Sequence, residues 1–118
     1  MRIFISLLTV TFLLWTNASA AEKVVPDTEA SNYVGESVAV KGIVANVFQS
    51  NKGNIFLNFG NPYPNQTFYA VIFSKDAATF GNVKAYEGKI VVVTGMVQSY
   101  KGKAEIILKE PGQIKLSK

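Results

Sequence analysis

The stretch GNIFLNFGNPYPNQTFYAVIF, residues 53–73, decides how the rest of the chain is read. Two apolar runs flank a polar tip that holds Pro62 and Pro64. Successive side chains of an extended chain point to opposite sides. In NIFLNFG, residues 54–60, that rule puts Ile55, Leu57 and Phe59 on one face, and Asn54, Phe56 and Asn58 on the other. Proline cannot donate to a ladder, so NPYPNQ, residues 61–66, is a loop. TFYAVIFS, residues 67–74, is a strand that is apolar on both faces.

Upstream, VGESVAVKGIVANVFQS is rich in β-branched residues and has a period near two that breaks at Gly42. Glycine inside a strand pattern marks a bulge or a sharp bend, so residues 36–49 are predicted to form one long bent strand. Asn51-Lys52-Gly53 is the turn that leads to the second strand. Downstream, KDAATF, residues 75–80, suits a short helix ended by Gly81. KIVVVTGMVQSY is a fourth strand with an inner Gly95, Lys101-Gly102 is a turn, and KAEIILKE, residues 103–110, is a fifth strand. Pro111-Gly112 stops it, and Ile114 and Leu116 tuck back. The chain also echoes itself. VGESVAVKGIV at 34–44 matches EGKIVVVTGMV at 87–97, with Gly35 against Gly88 and Gly42 against Gly95.

The first twenty of the 118 residues stand apart. Arg2, the uncharged apolar run 3–15 and Ala18-Ser19-Ala20 make a secretory signal peptide with cleavage before Ala21. The apolar run is shorter than the roughly 20 residues of a spanning helix, so no membrane span is expected after cleavage. Residues 21–33 are polar and read as a flexible lead-in with a helical turn near Asp27 to Ala30; residues 34–116 are the folded domain. The expected location is periplasmic or secreted. Beyond Arg2 the cations are eleven lysines against eight carboxylates, a net charge of +3. With no His, no Cys and no further Arg, the chain has no imidazole near neutral pH, no thiolate and no guanidinium clamp. No metal site or cofactor is expected. The carboxylates form no paired motif. Metal-dependent nuclease chemistry stays formally open, but the expectation is a protein that is not an enzyme.

Five strands with one short helix between the third and fourth describe an all-β, five-stranded Greek-key barrel of the OB type. KGNIFLNFGNPYPNQTFYAVIF, FGNVKAYEGKIVVVTG and YKGKAEIIL together resemble the OB-fold nucleic-acid-binding domains of secreted bacterial proteins, some of which sit beside nuclease domains. The likeness spans about residues 34–114. It implies binding, usually of nucleic acid, and not catalysis.

An OB barrel binds on the face of its second and third strands, between the loops joining strands one to two and four to five. Here those loops carry Lys52, and Tyr100, Lys101 and Lys103. Phe56, flanked by Asn54 and Asn58, suits stacking on a base with hydrogen bonds at its edges. Tyr69 is a candidate for the same face, a matter that strand register decides. Phe48, Phe59, Phe68, Phe73 and Phe80 are assigned to the core, and Tyr63 is expected to pack between its prolines. The candidate ligand site is therefore Lys52, Asn54, Phe56, Asn58, Tyr69, Tyr100, Lys101 and Lys103. The expected partner is single-stranded DNA or RNA, with a protein or oligosaccharide ligand as the alternative.

Overall fold

The computed structural model describes residues 23–118; the signal-peptide expectation for residues 1–20 lies outside them. The strands are β1 (Val24–Pro26), β2 (Ser37–Gln49), β3 (Ile55–Phe59), β4 (Phe68–Ile72), β5 (Ile90–Tyr100), β6 (Lys103–Ile107) and β7 (Ile114–Leu116). A one-turn helix, α1 (Ser74–Ala77), continues as a 3-10 turn through Phe80. Five of the strands close a barrel. β2 pairs antiparallel with β3, β3 with β4, β5 with β6 and β5 with β2, while β4 and β6 run parallel. This is the OB topology expected from the sequence.

The long β2 serves both halves of the barrel. Ser37–Ile43 pairs with β5, and Val44–Gln49 pairs with β3. Gly42 sits just before the change of partner, but it pairs regularly with Val91. The bulge lies later, between Val44 and Asn46. A Cβ on Gly42 would stand 2.6 Å from Asp27 Oδ1 and 2.9 Å from the Phe59 ring. One on Gly95 would stand 2.7 Å from Ile106 Cγ2. Each glycine therefore leaves room for a core side chain delivered by the hairpin that follows.

The sequence echo is a structural one. In the β2–β5 ladder Val40 faces Val93, and these two residues occupy the same place in the two copies. Gly35 N–H donates to Val97 O and Gly88 N–H donates to Val44 O, both at 2.8 Å. The two copies are thus antiparallel partners about a local pseudo-twofold that passes between Val40 and Val93.

The barrel interior holds Val38, Val40, Val44, Leu57, Phe59, Phe68, Ala70, Ile72, Val91, Val93, Val97 and Ile106. Phe59 and Phe68 meet edge to face with centroids 5.1 Å apart, a favourable quadrupole arrangement. Two phenylalanines assigned to the core lie elsewhere. Phe48 is 54% exposed and Phe73 is 38% exposed, because each sits at or past a strand end, on the outward side. Phe80 is partly buried against the core.

Val24–Tyr33, read as part of a mobile lead-in, belongs to the folded body. β1 runs parallel to β2, and residues 27–33 form a 3-10 helix with Val25 and Ala30 buried in the core. Thr67 Oγ1 donates to Asp27 Oδ2, tying this segment to the end of the β3–β4 loop. β7 pairs with β5, with Ile114 buried and Leu116 exposed. Among the described residues, no helix is long and apolar enough to cross a membrane.

Candidate nucleic-acid interface

The outer face of the β2–β3–β4–β6 sheet carries two cross-strand rows. Residues directly opposite one another in a sheet share a face. One row is apolar: Phe48 faces Phe56, Phe56 faces Val71, and Val71 faces Ile107. The next row is polar: Asn46 faces Asn58, Asn58 faces Tyr69, and Tyr69 faces Glu105. The bulge at Ala45 makes this second row possible. Val44 and Val47 both point inward, and the extra residue between them turns Asn46 outward.

The rings form a continuous surface. Phe48 and Phe56 are near-parallel, 27° apart in plane, with centroids at 6.4 Å. Phe56 and Tyr69 lie 5.9 Å apart and tilted. Tyr69 therefore shares the face of Phe56. Burial pushes its hydroxyl well above the ordinary tyrosine range, and the adjacent Glu105 carboxylate adds to this through a hydrogen bond to the neutral hydroxyl and through its charge.

Two loops wall this surface into a groove of about 690 Å³, within the usual size of a ligand site. Asn46, Phe48, Phe56, Asn58 and Tyr69 line it from the sheet, Pro62, Tyr63, Pro64 and Gln66 from the β3–β4 loop, and Tyr100, Lys101 and Lys103 from the β5–β6 turn. Tyr63 does not pack between its prolines as expected. It is 76% exposed and stands at the groove wall. Its peptide bond to Pro64 is cis.

The predicted site residues divide. Phe56, Asn58, Tyr69, Tyr100, Lys101 and Lys103 come together in the groove. Lys52 and Asn54 do not line it. Asn54 lies at the strand end, where its Oδ1 accepts the Ser74 N–H at 2.9 Å and so satisfies an otherwise orphaned donor of α1. Lys52 is exposed in the β2–β3 turn.

The two groove lysines differ in role. Lys103 Nζ donates to Gln66 O at 2.7 Å, bracing the β5–β6 strand pair against the β3–β4 loop. Lys101 Nζ stands 5.3 Å from the centre of the Tyr100 ring, which is itself exposed. Its ammonium is the one at the rim that no protein acceptor holds among the hydrogen bonds of the described residues.

Sequence reasoning missed Phe48 as a groove ring, together with Asn46, Gln66 and Tyr63. For Asn46 a signal existed: apolar Val44 and Val47 three residues apart, with two small or polar residues between, is the spacing a bulge leaves. For Gln66 there was none, because a loop side chain has no periodicity to follow.

No family model matches the chain, and no curated protein matches it. Solved structures do. An OBody bound to hen egg-white lysozyme is 19% identical, with a TM-score of 0.58; the match covers 85% of this chain and 98% of that one. The aspartyl-tRNA synthetase of Entamoeba histolytica is 13% identical at a TM-score of 0.55, covering 94% of this chain and 26% of the synthetase. The asparaginyl-tRNA synthetase of Pyrococcus horikoshii is 20% identical at 0.51, covering 78% and 22%. The chain thus spans about a quarter of the synthetase chains it matches. At these identities the likeness is one of fold, and with the closed five-stranded barrel it makes the described residues an OB-fold domain.

Proposed function

We propose that the chain is an exported, non-catalytic OB module that binds single-stranded nucleic acid in the groove. The observation that carries this reading is the cluster of rings on one sheet face, Phe48 exposed, Phe56 half-buried and Tyr69 buried beside it, with Lys101 at the rim. Flat rings accept any base by stacking, at about 1–3 kcal/mol per base. Every charged residue lining the groove is a lysine, so the phosphates of a stacked strand meet no fixed negative charge there.

The test is fluorescence anisotropy with labelled ten-nucleotide strands at low and high salt. Binding should weaken with salt with a log–log slope of about −1.4, two lysines at about 0.7 each. Phe56→Ala should weaken it by at least about fivefold at both salts, because stacking is not screened. Absence of binding at low salt would remove the reading.

A second reading is a protein- or oligosaccharide-binding module of the cell envelope. Only two of the groove's lining residues are charged, and the structurally similar OBody is bound to a protein. A pull-down from envelope extract and a glycan array address it, and clean negatives on both would count against it. Export rests on residues 1–20 and is checked by fusing them to alkaline phosphatase, which is active only outside the cytoplasm. Absence of DNA cleavage with Mg²⁺ or Ca²⁺ would dispose of a metal-dependent nuclease, and cleavage would overturn the non-catalytic assignment.

A further inference from the structure

The hydrogen bonds across the groove floor run in one direction. Gln66 Nε2 donates to Asn58 Oδ1 at 3.3 Å, and Asn58 Nδ2 donates to Asn46 Oδ1 at 3.1 Å. Each asparagine oxygen therefore already accepts one bond from its neighbour, which fixes the orientation of the amides in the chain. The remaining acceptor, Gln66 Oε1, is fully enclosed and has no partner. The open end of the chain is the Nδ2 of Asn46, a half-buried residue that lines the groove. Asn58 is 3% exposed and Gln66 4%, so packing holds the two inner amides in place. Within the row the carboxylate is Glu105, beyond Tyr69; it is buried and does not line the groove, and Glu87, which accepts the Val47 N–H at 2.8 Å, does not line it either.

Asn46 stands two residues from Phe48 on one face of β2, and Asn58 two residues from Phe56 on one face of β3. Two residues of strand span roughly 7 Å. From the centre of a stacked pyrimidine, through an exocyclic oxygen, to a nitrogen hydrogen-bonded to it is about 5.5 Å, within the reach of an amide side chain two residues along. A donor at that place satisfies a keto oxygen. Against an exocyclic amino group it sets N–H against N–H and leaves both unbonded, and an unmade hydrogen bond at a desolvated edge is expensive.

Resting on the nucleic-acid reading above, we infer that the groove selects bases by their keto edge: uracil and thymine over cytosine, and 6-keto over 6-amino purines. Stacking supplies the affinity and the amide chain supplies the preference. The Gln66–Asn58 bond fixes the sense of the row from its buried end, so Asn46 is a specificity-determining residue and Gln66 a positioning one.

The experiment compares ten-nucleotide strands of deoxyuridine and deoxycytidine by anisotropy at low salt. A second pair carries a single hypoxanthine or adenine among abasic spacers, so that self-stacking of the strand plays no part. The keto member of each pair should bind about three- to tenfold tighter. Asn46→Ala should bring the ratio to one while binding persists, and Asn46→Asp, which places an acceptor there, should reverse it. Equal binding of keto and amino strands by the unaltered protein, or a ratio that survives Asn46→Ala, overturns the inference and leaves the binding reading standing. Failure of every strand to bind overturns both.

Discussion

Lys101 occupies a place where its backbone and its side chain pull in opposite directions. The β5–β6 turn has positive φ at both central residues, 51° at Lys101 and 82° at Gly102, which is the type I′ pattern. Glycine adopts that conformation freely; a lysine there costs roughly 1–2 kcal/mol. Asparagine is the residue such turns favour at the first central position. Lys101→Asn should recover about 1 kcal/mol of that strain. It also loses the contact of Nζ with the Tyr100 ring, 5.3 Å from its centre, worth about 0.5–1 kcal/mol for an exposed pair. The net is a gain of at most about 0.5 kcal/mol, a rise in Tm of up to roughly 4 °C for a domain of this size. Binding should move the other way. Removing the rim ammonium should lower the salt slope by about 0.7 and weaken binding several-fold at low salt. Calorimetry and salt-dependent anisotropy read the two effects on one sample. A variant that binds less well while melting no lower cannot owe its loss to unfolding. A lower Tm would refute the strain argument, and an unchanged slope would refute the placing of Lys101 against phosphate.

Gly42→Ala would set a methyl 2.6 Å from Asp27 Oδ1 and 2.9 Å from Phe59, and should destabilise the domain by about 1–3 kcal/mol in urea denaturation; wild-type stability would show that this corner yields easily. Thr67→Val keeps the volume but deletes the hydroxyl that donates to Asp27. It should lower stability by about 1 kcal/mol and, by freeing the loop that carries Tyr63 and Gln66, weaken oligonucleotide binding; intact affinity would show that the loop stands without this tie. Tyr69 has its hydroxyl ionisation raised by burial and by Glu105. The stability it contributes is therefore present below the ordinary tyrosine range and is lost as pH rises through its folded value. Tyr69→Phe should flatten the alkaline limb of a stability–pH curve, and an unaltered limb would assign it to other groups.

The barrel was legible in the sequence because its strands alternate cleanly. Ile55, Leu57 and Phe59 read inward, and all three are buried. The lead-in was not legible, because three residues of β1 are too few to show a period and the partner of Asp27 lies 40 positions away in the chain. Phe48 was misassigned because an aromatic ring in a small barrel was taken as core. Alternation from the buried Val47 puts it outside, where it stacks on Phe56. Asn54 obeyed the alternation and still missed the groove, since at the strand end its amide turns to the first N–H of α1. Face assignment from period alone thus holds within a strand and fails at its ends, where hydrogen bonds to neighbouring elements take over.

The pseudo-twofold explains why the groove lies where it does. Each copy of the echo runs into a hairpin, β2–β3 or β5–β6, and each glycine makes room for a matching side chain, Phe59 or Ile106. Symmetry alone would give two equivalent outer faces. β4 breaks it by pairing antiparallel with β3 and parallel with β6, and the bulge between Val44 and Asn46 breaks it again, since the β5–β6 hairpin continues in unbroken register from Val97 to Tyr100. The first break brings Tyr69 beside Phe56, and the second turns Asn46 out beside Asn58. A ligand face needs unlike neighbours, rings next to amides next to cations, and in this barrel the two departures from symmetry are what set them side by side.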